Sequence, residues 1–238
     1  MTAVIPKFPR TLQLPWSPGD TREDRKMDDV SGLLKVPVVV TEKLDGSNVC
    51  LTRDEVFARS HSGAPTLPVF DWLKSWHAAH RTRLPEHFSM FCEYLYAVHS
   101  IEYEGLPSYL WVIGFRNENL SLWVEWQQVC QLAADLGLPT VPVLGHGTFE
   151  RSDELNGYTT LLAKRRGFFG EREGIVVRVE RGILAHDFEF RTAKWVREGH
   201  VKAEHHWMHQ PIRKQKLVGG ASDAKAKITE GRQGTNLG

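Results

Sequence analysis

A lysine stands directly after a strongly apolar run in the first quarter of the chain. The β-branched run Val38–Thr41 predicts a buried strand, and Asp45-Gly46 after Lys43 is a turn signal. Burial disfavours the charged form of a lysine, lowers its pKa and makes the amine available as a nucleophile. Two interpretations are open at this point: a reactive lysine at the end of a buried strand, or a solvated lysine on a surface hairpin.

Three further charged residues lie in apolar, strand-like segments. Glu93 lies in FCEYLY, Glu173 begins EGIVVRV, and Lys194 lies in TAKWV. A buried charge is costly unless it is paired or accepts hydrogen bonds. A carboxylate can hold Mg²⁺, and a metal and a second cation beside a nucleophile can neutralise phosphate charge.

The order and spacing of these residues resemble a known family. Lys43-Leu44-Asp45-Gly46 has the form Lys-x-Asp-Gly, and Glu173-Gly174 is followed by a β-branched run. The set resembles the covalent nucleotidyltransferases, which include DNA ligases and mRNA capping enzymes, and most of all the ATP-dependent RNA ligases. The resemblance extends over residues 36–196.

The resemblance implies the catalytic roles. Lys43 would attack the α-phosphorus of ATP to form a lysyl-AMP, Glu173 would bind Mg²⁺ or Mn²⁺, and Lys194 would contact the α-phosphate as the second catalytic lysine. The sequence departs from the family pattern at Val196, where a further lysine is common, and leaves Arg191 or Arg197 as substitutes.

The resemblance also implies the nucleotide and RNA contacts. Arg59 and Glu93 would bind the ribose, and Asn48 would contact the RNA end. Phe115 would stack on the purine, with Tyr94 and Trp111 as alternatives. The implied nucleotide-binding set is Glu42, Arg59, Glu93, Phe115, Glu173 and Lys194.

The elements that must position these residues indicate an α+β fold, a nucleotidyltransferase domain of antiparallel sheets with flanking helices and no C-terminal OB barrel. We expect an extended surface arm over 1–35, a catalytic domain over 36–212 and a basic, disordered tail over 213–238. Besides the segments above, the patterns predict strands at Val56–Arg59, Ser89–Ile101, Tyr109–Phe115, Val141–Leu144 and Phe188–Val196, and helices at 69–82, Val124–Leu136 and Ser152–Lys164.

Bulk properties narrow the classes of function. The 238 residues carry a net charge of +1, so nucleic acid would have to bind a local patch rather than a polycationic surface. Three cysteines without metal-type spacing predict reduced core residues and a cytoplasmic protein. No window is apolar enough for a membrane span or a signal peptide.

These observations together predict an ATP-dependent RNA ligase of the RNA repair type. It would join RNA 3′-OH and 5′-phosphate ends through a lysyl-AMP and an adenylylated RNA end. The alternatives are a DNA ligase or capping-type enzyme, a non-catalytic module that binds nucleic-acid ends, and a regulatory protein that accepts AMP without using RNA. An end-healing kinase or phosphatase is a possible partner. The kind of RNA break and the oligomeric state are open.

Overall fold

The computed structural model describes residues 7–19, 25–59, 65–199 and 212–220. Within them the chain forms two β-sheets and four α-helices, which confirms the predicted α+β class. The strands are β1 (Leu12–Gln13), β2 (Val38–Lys43), β3 (Ser47–Leu51), β4 (Val56–Ala58), β5 (Phe88–Tyr94), β6 (Leu110–Asn117), β7 (Leu122–Trp123), β8 (Val143–Gly147), β9 (Gly174–Val179), β10 (Ile183–Leu184) and β11 (Thr192–Val196). The helices are α1 (Asp71–His80), α2 (Trp126–Asp135), α3 (Ser152–Ala163) and α4 (Phe188–Arg191).

The five-stranded sheet has the order β1-β11-β9-β2-β8 and carries helix α3 against β9 and β11. Its strands are antiparallel, except that the short edge strand β1 runs parallel to β11. Strand β2 is buried along nearly its whole length, as its β-branched composition predicts.

The six-stranded sheet has the order β10-β7-β6-β5-β3-β4, is antiparallel throughout, and packs helix α2 against β6. The chain passes from the first sheet to the second between β2 and β3, through Leu44–Gly46. Glycine is required in this turn because a Cβ on Gly46 would lie 2.7 Å from the carbonyl oxygen of Tyr94. The Lys-x-Asp-Gly motif therefore lies where the two sheets join.

Two predicted elements differ from the structure. The predicted strand Ser89–Ile101 ends at Tyr94, because the chain then turns so that Ser100 and Ile101 donate backbone N–H groups to Asp45. Residues 188–191 are helical rather than extended. Their alternation of aromatic and charged side chains resembles the pattern of a strand. In the structure Phe188 is buried against Trp123, and the last residues of the turn stay near the surface.

The N-terminal segment is not a surface arm over its described part. Strand β1 extends the five-stranded sheet, and Leu14, Met27, Val30 and Leu33 are buried in the core. Prolines at positions 9 and 15 exclude a long strand but leave room for the two residues that pair with β11. The first residues of the predicted tail are also packed, since Lys214 and Leu217 form bridges to Ala97 and Leu106. The rest of the predicted tail, 221–238, lies outside the described residues, and the domain boundaries stay a prediction.

None of the helices among the described residues is long and apolar enough to cross a membrane. The three cysteines are free thiols, two of them buried, as their apolar sequence settings predict. Burial raises the pKa of the Cys50 thiol to about 12, so this side chain is an inert core residue.

Candidate active site

Lys43 and Glu173 form an ion pair at the junction of the two sheets. Lys43 is the last residue of β2 and pairs in register with Gly174, the first residue of β9. Its Nζ atom lies 2.6 Å from Oε2 of Glu173. The Lys43 side chain is 25% exposed whereas that of Glu173 is 3% exposed, so the lysine can be reached from solvent and its carboxylate partner hardly can.

The pKa of Lys43 is raised, which contradicts the lowered value predicted from burial. Desolvation is the largest single influence and lowers the pKa, but the charges of Glu173, Glu93 and Asp45 together outweigh it. The free protein therefore holds Lys43 as an ammonium group.

Glu93 is the second carboxylate of the site. Its Oε1 accepts a hydrogen bond from the backbone N–H of Gly46 at 3.1 Å. Burial raises the pKa of Glu93 to about 7; the charge of Lys43 opposes this rise, and those of Glu173 and Asp45 add to it. Three acidic side chains thus interact with one another around a single lysine.

This donor set fits a divalent cation. Mg²⁺ and Mn²⁺ prefer oxygen ligands, and Mg²⁺ is commonly held by one or two carboxylates together with substrate phosphates and water. No group of three or more metal-binding side chains is assembled among the residues that the structure describes. Glu173 and Glu93 repel each other electrostatically, and a cation that arrives with a nucleotide would relieve this repulsion.

Asp45 shapes the turn after the lysine. Its Oδ2 accepts hydrogen bonds from the N–H and the hydroxyl of Ser100 and from the N–H of Ile101, at 2.6 to 3.0 Å. Its own N–H donates to the hydroxyl oxygen of Tyr103 at 2.6 Å. The aspartate of the motif is thereby fixed to the segment that follows β5, and Tyr103 is a site residue that the sequence analysis did not identify.

Gln215 fixes that same segment from the other side. Its side chain is buried, accepts the N–H of Tyr103 at 2.8 Å and donates to the carbonyl oxygen of Ile101 at 2.7 Å. The hydroxyl of Tyr109 donates to its backbone carbonyl at 3.2 Å. Nothing in the sequence around Gln215 signals this role, because it depends on a contact between distant segments.

A row of side chains crosses the six-stranded sheet beside the lysine. Asn48 on β3 pairs in register with Glu93 on β5, and Glu93 pairs with Trp111 on β6. Residues paired in this way point to the same face of a sheet, so these three side chains share one face.

Phe115 lies away from the row of Glu93, and its predicted purine contact stays a prediction. A β-bulge leaves Ile113 as an extra residue on β6, and beyond it Phe115 pairs with Met90 rather than with a residue of the Glu93 row. The ring is consequently fully buried in the core on the opposite face. An uninterrupted strand would have placed Phe115 on the same face as Trp111.

Of the two alternative aromatics, Trp111 lies on the face of the site. Tyr94 belongs to the opposite face, stacks with Phe70 and donates its hydroxyl to the carbonyl oxygen of Val69. The ring of Trp111 instead packs against Phe169, with ring centroids 5.2 Å apart.

The side chain of Glu42 is engaged away from Lys43, and its predicted nucleotide contact stays a prediction. Strand alternation turns it away from Lys43, and its Oε2 lies 3.3 Å from the guanidinium of Arg172 and accepts the N–H of Phe168 at 3.0 Å. Glu42 and Arg172 are almost completely buried, so this is a structural ion pair.

Lys194 is buried on the same face as Lys43. It pairs across β9 with Val176, which in turn pairs with Thr41, two residues before Lys43 on β2. This placement agrees with the predicted position of a second lysine at the site, while its phosphate contact stays a prediction.

Two arginines that could substitute for the missing second lysine are engaged away from this cluster. Arg191 donates to the carbonyl oxygen of Gly32 at 2.8 Å, and Arg197 pairs with Glu171 at 2.7 Å, so both substitutes for the missing second lysine are engaged elsewhere. Arg59 is exposed directly after β4, and its ribose contact stays a prediction.

Comparison with solved structures defines the class of fold. An archaeal ATP-dependent RNA ligase matches with a TM-score of 0.54 and 16% identity, over 81% of this chain and 48% of that chain. Naegleria gruberi RNA ligase with PPi matches with a TM-score of 0.55 and 16% identity, over 83% and 57%. A mutant of the same ligase with ATP and Mn matches with a TM-score of 0.55 and 14% identity, over 87% and 59%. The fold is that of the nucleotidyltransferase domain of RNA ligases, and the chain spans about half to three fifths of these proteins.

Comparison with family sequence models identifies the family of the chain. The model of the RNA ligase family matches residues 36–196, more than half of the chain and the same range over which the resemblance is seen. The chain belongs to the RNA ligase family. A comparison with curated protein sequences found no match.

Proposed function

We propose that this protein is an ATP-dependent RNA ligase that joins RNA 3′-OH and 5′-phosphate ends through a lysyl-AMP intermediate. The observation that carries the proposal is the Lys43–Glu173 pair at the junction of the sheets: an accessible amine held against a buried carboxylate. The RNA ligase family match over 36–196 includes both residues.

In the first step Nζ of Lys43 attacks the α-phosphorus of ATP. A nitrogen–phosphorus bond forms, the bond to the β-phosphate oxygen breaks, pyrophosphate leaves and the amine loses its proton. Glu173 stabilises the ammonium form of Lys43. A second cation near this carboxylate would lower the pKa of Lys43 and favour the neutral amine that attacks.

Glu173 is the residue that would hold Mg²⁺ or Mn²⁺. When bound, the metal neutralises charge on the phosphates of the nucleotide. Lys194, buried on the same face, would contact the α-phosphate and stabilise the charge that develops there.

The nucleoside would be held by residues around the same cleft. Glu93 would accept hydrogen bonds from the ribose, and Arg59 would contact it from the end of β4. Phe115 or its alternative Trp111 would contact the purine; both rings are buried in the free protein, and Trp111 lies in the same row as Glu93. An aromatic ring at this place would orient the purine by stacking.

In the second step an oxygen of the RNA 5′-phosphate attacks the phosphorus of the lysyl-AMP, the nitrogen–phosphorus bond breaks and Lys43 recovers its proton. In the third step the RNA 3′-OH attacks the 5′-phosphate phosphorus, AMP leaves and a phosphodiester forms. Asn48, which lies on β3 two residues after Gly46 of the turn, would contact the RNA end. We further propose that the protein acts in the cytoplasm, with an end-healing kinase or phosphatase as a possible partner.

The test is incubation with α-labelled ATP and Mg²⁺ or Mn²⁺, followed by a denaturing gel, for the wild type and Lys43→Ala. We expect label on the wild type alone, and its discharge by 5′-phosphorylated RNA. Labelled protein that RNA never discharges would indicate a regulatory AMP acceptor. Absence of label with ATP, GTP or NAD would reject the catalytic proposal and leave a module that binds RNA ends.

A further inference from the structure

The loop between α3 and β9 combines exposed cations with an exposed aromatic ring. We call residues 164–171 the basic-aromatic loop. Lys164, Arg165 and Arg166 are consecutive and exposed, and Phe168 is 61% exposed. A large apolar ring held in water beside three positive charges has the composition of a surface that binds single-stranded nucleic acid.

The loop is held in place at several points. Within it, the N–H of Gly167 donates to the carbonyl oxygen of Gly170 at 3.0 Å. The N–H of Phe168 donates to Glu42 at 3.0 Å, and the N–H of Glu104 donates to the carbonyl oxygen of Phe169 at 2.9 Å. The exposed ring is therefore presented by a fixed backbone, which lowers the entropy lost when a base stacks on it.

The loop reaches the face of the site through Phe169. Glu42, which anchors Phe168, precedes Lys43 in the sequence, but its side chain lies on the opposite face of β2. Phe169 packs on Trp111, which shares its register position with Glu93. The ring of Phe169 thus lies against the proposed nucleotide site, and the ring of the preceding residue, Phe168, is exposed to solvent.

The charge of the loop is positive although the chain as a whole is nearly neutral. Arg166 lies 3.8 Å from Glu104, but both side chains are largely exposed and such pairs are weak. Glu171 is already paired in two hydrogen bonds with Arg197. The three consecutive cations thus form a local patch that attracts phosphate.

We propose that the basic-aromatic loop binds the RNA strand next to its reacting end, with a base stacked on Phe168 and phosphates contacted by Arg165 and Arg166. The inference rests on the proposed function, because it assigns the surface that holds the RNA for the second step. It predicts that the loop affects the RNA-dependent step and leaves the ATP-dependent step unchanged.

The test separates the two steps in Phe168→Ala, in Phe168→Trp and in a double variant, Arg165→Ala with Arg166→Ala. The wild-type and variant proteins are first labelled with α-labelled ATP, and the isolated adducts are then chased with 5′-phosphorylated RNA at increasing concentration. Phe190→Ala is the matched control, because Phe190 is 55% exposed on α4 and lies outside the loop.

Loss of a stacked base should raise the RNA concentration for half-maximal chase about 10-fold in Phe168→Ala, with Phe168→Trp close to the wild type. The double arginine variant should weaken RNA binding and make it less dependent on salt, with a loss of about 0.7 in the logarithmic slope for each phosphate contact. Labelling by ATP, and both steps in Phe190→Ala, should stay at the wild-type level.

Two results would overturn the inference: an unchanged chase in Phe168→Ala, or an equal loss in labelling and chase, which would make the loop part of the nucleotide site. Fluorescence anisotropy of labelled 5′-phosphorylated RNA keeps the test independent of catalysis. If the wild type takes no label, the ligase proposal fails, yet weaker RNA binding by Phe168→Ala would still support the loop as an RNA surface. Equal RNA binding by the two proteins would reject it.

Discussion

Two ion pairs join neighbouring residues of β2 to neighbouring residues before β9, and they have opposite characters. Glu42 pairs with Arg172 on one face of the strand, and Lys43 pairs with Glu173 on the other. In the first pair both side chains are almost completely buried, whereas the lysine of the second is a quarter exposed.

The difference lies in what each charge can do. The guanidinium of Arg172 also donates to the carbonyl oxygens of Leu162 and Arg166, so its position is fixed by backbone as well as by Glu42. The groups that raise the pKa of Lys43 are all carboxylates, those of Glu173, Glu93 and Asp45. The same strand thus has a structural pair that anchors the site and an accessible pair whose lysine is able to change partners.

The comparison predicts unequal costs for the same substitution. Glu42→Gln leaves Arg172 buried without a counter-charge and should lower the free energy of unfolding by about 3–5 kcal/mol. Glu173→Gln leaves Lys43 partly exposed and close to Glu93 and Asp45, and should change it by about 1 kcal/mol or less. Urea unfolding of the two variants checks this prediction. Equal losses of stability would show that both pairs are structural.

A smaller effect is expected for Glu93, and it depends on pH. Because the folded protein raises the pKa of Glu93 from 4.5 to about 7, its contribution to stability is present below pH 4.5 and is lost as the pH rises through 7. Glu93→Gln should therefore be more stable than the wild type by about 3 kcal/mol at pH 8 and close to it near pH 4.5. Thermal unfolding across this range checks the sign. A constant difference at all pH values would contradict the raised pKa.

The smallest expected effect is a shift in the reactivity of Lys43. In Glu173→Gln the pKa of Lys43 should fall, because the largest of the charges that raise it is removed. Competitive acetylation followed by mass spectrometry at a series of pH values reports the free amine of each lysine. The exposed Lys164 is the internal control and should react identically in both proteins. An unchanged profile for Lys43 would mean that Glu93 and Asp45 alone set its pKa.

The sequence was informative where a local pattern determines the local structure. The apolar run before Lys43 and the acid-glycine run at Glu173 predicted the two strands that carry the ion pair, because each residue's face follows from its position in a strand. A Cβ on Gly174 would lie 2.0 Å from the carbonyl oxygen of Trp195, so the glycine of that motif is needed for strands to approach.

The sequence was misleading where one irregularity of the backbone decides which face of a sheet a side chain occupies. The bulge at Ile113 reverses the face of Phe115, and the adjacent Gly114, the one signal of it in the sequence, was not used. The pKa of Lys43 was predicted in the wrong direction because burial was counted without the three carboxylates that tertiary structure brings near it. Partners distant in the chain, such as Arg172 for Glu42 and Gln215 for Tyr103, are likewise invisible to a local pattern.

The contact of Gln215 has a consequence for the order in which the site is assembled during protein synthesis. The Lys-x-Asp-Gly turn leaves the ribosome early, but the segment that holds its aspartate is closed by Gln215, which is translated after every strand of both sheets. A nascent chain that ends before Gln215 should therefore expose a loosely held turn and take little label from ATP. The full chain would acquire its reactive lysine only after most of both sheets has folded, which protects an early intermediate from premature reaction with nucleotide. Labelling of purified truncated chains that end at residues 211 and 220 would test this dependence, and equal labelling of the two would refute it.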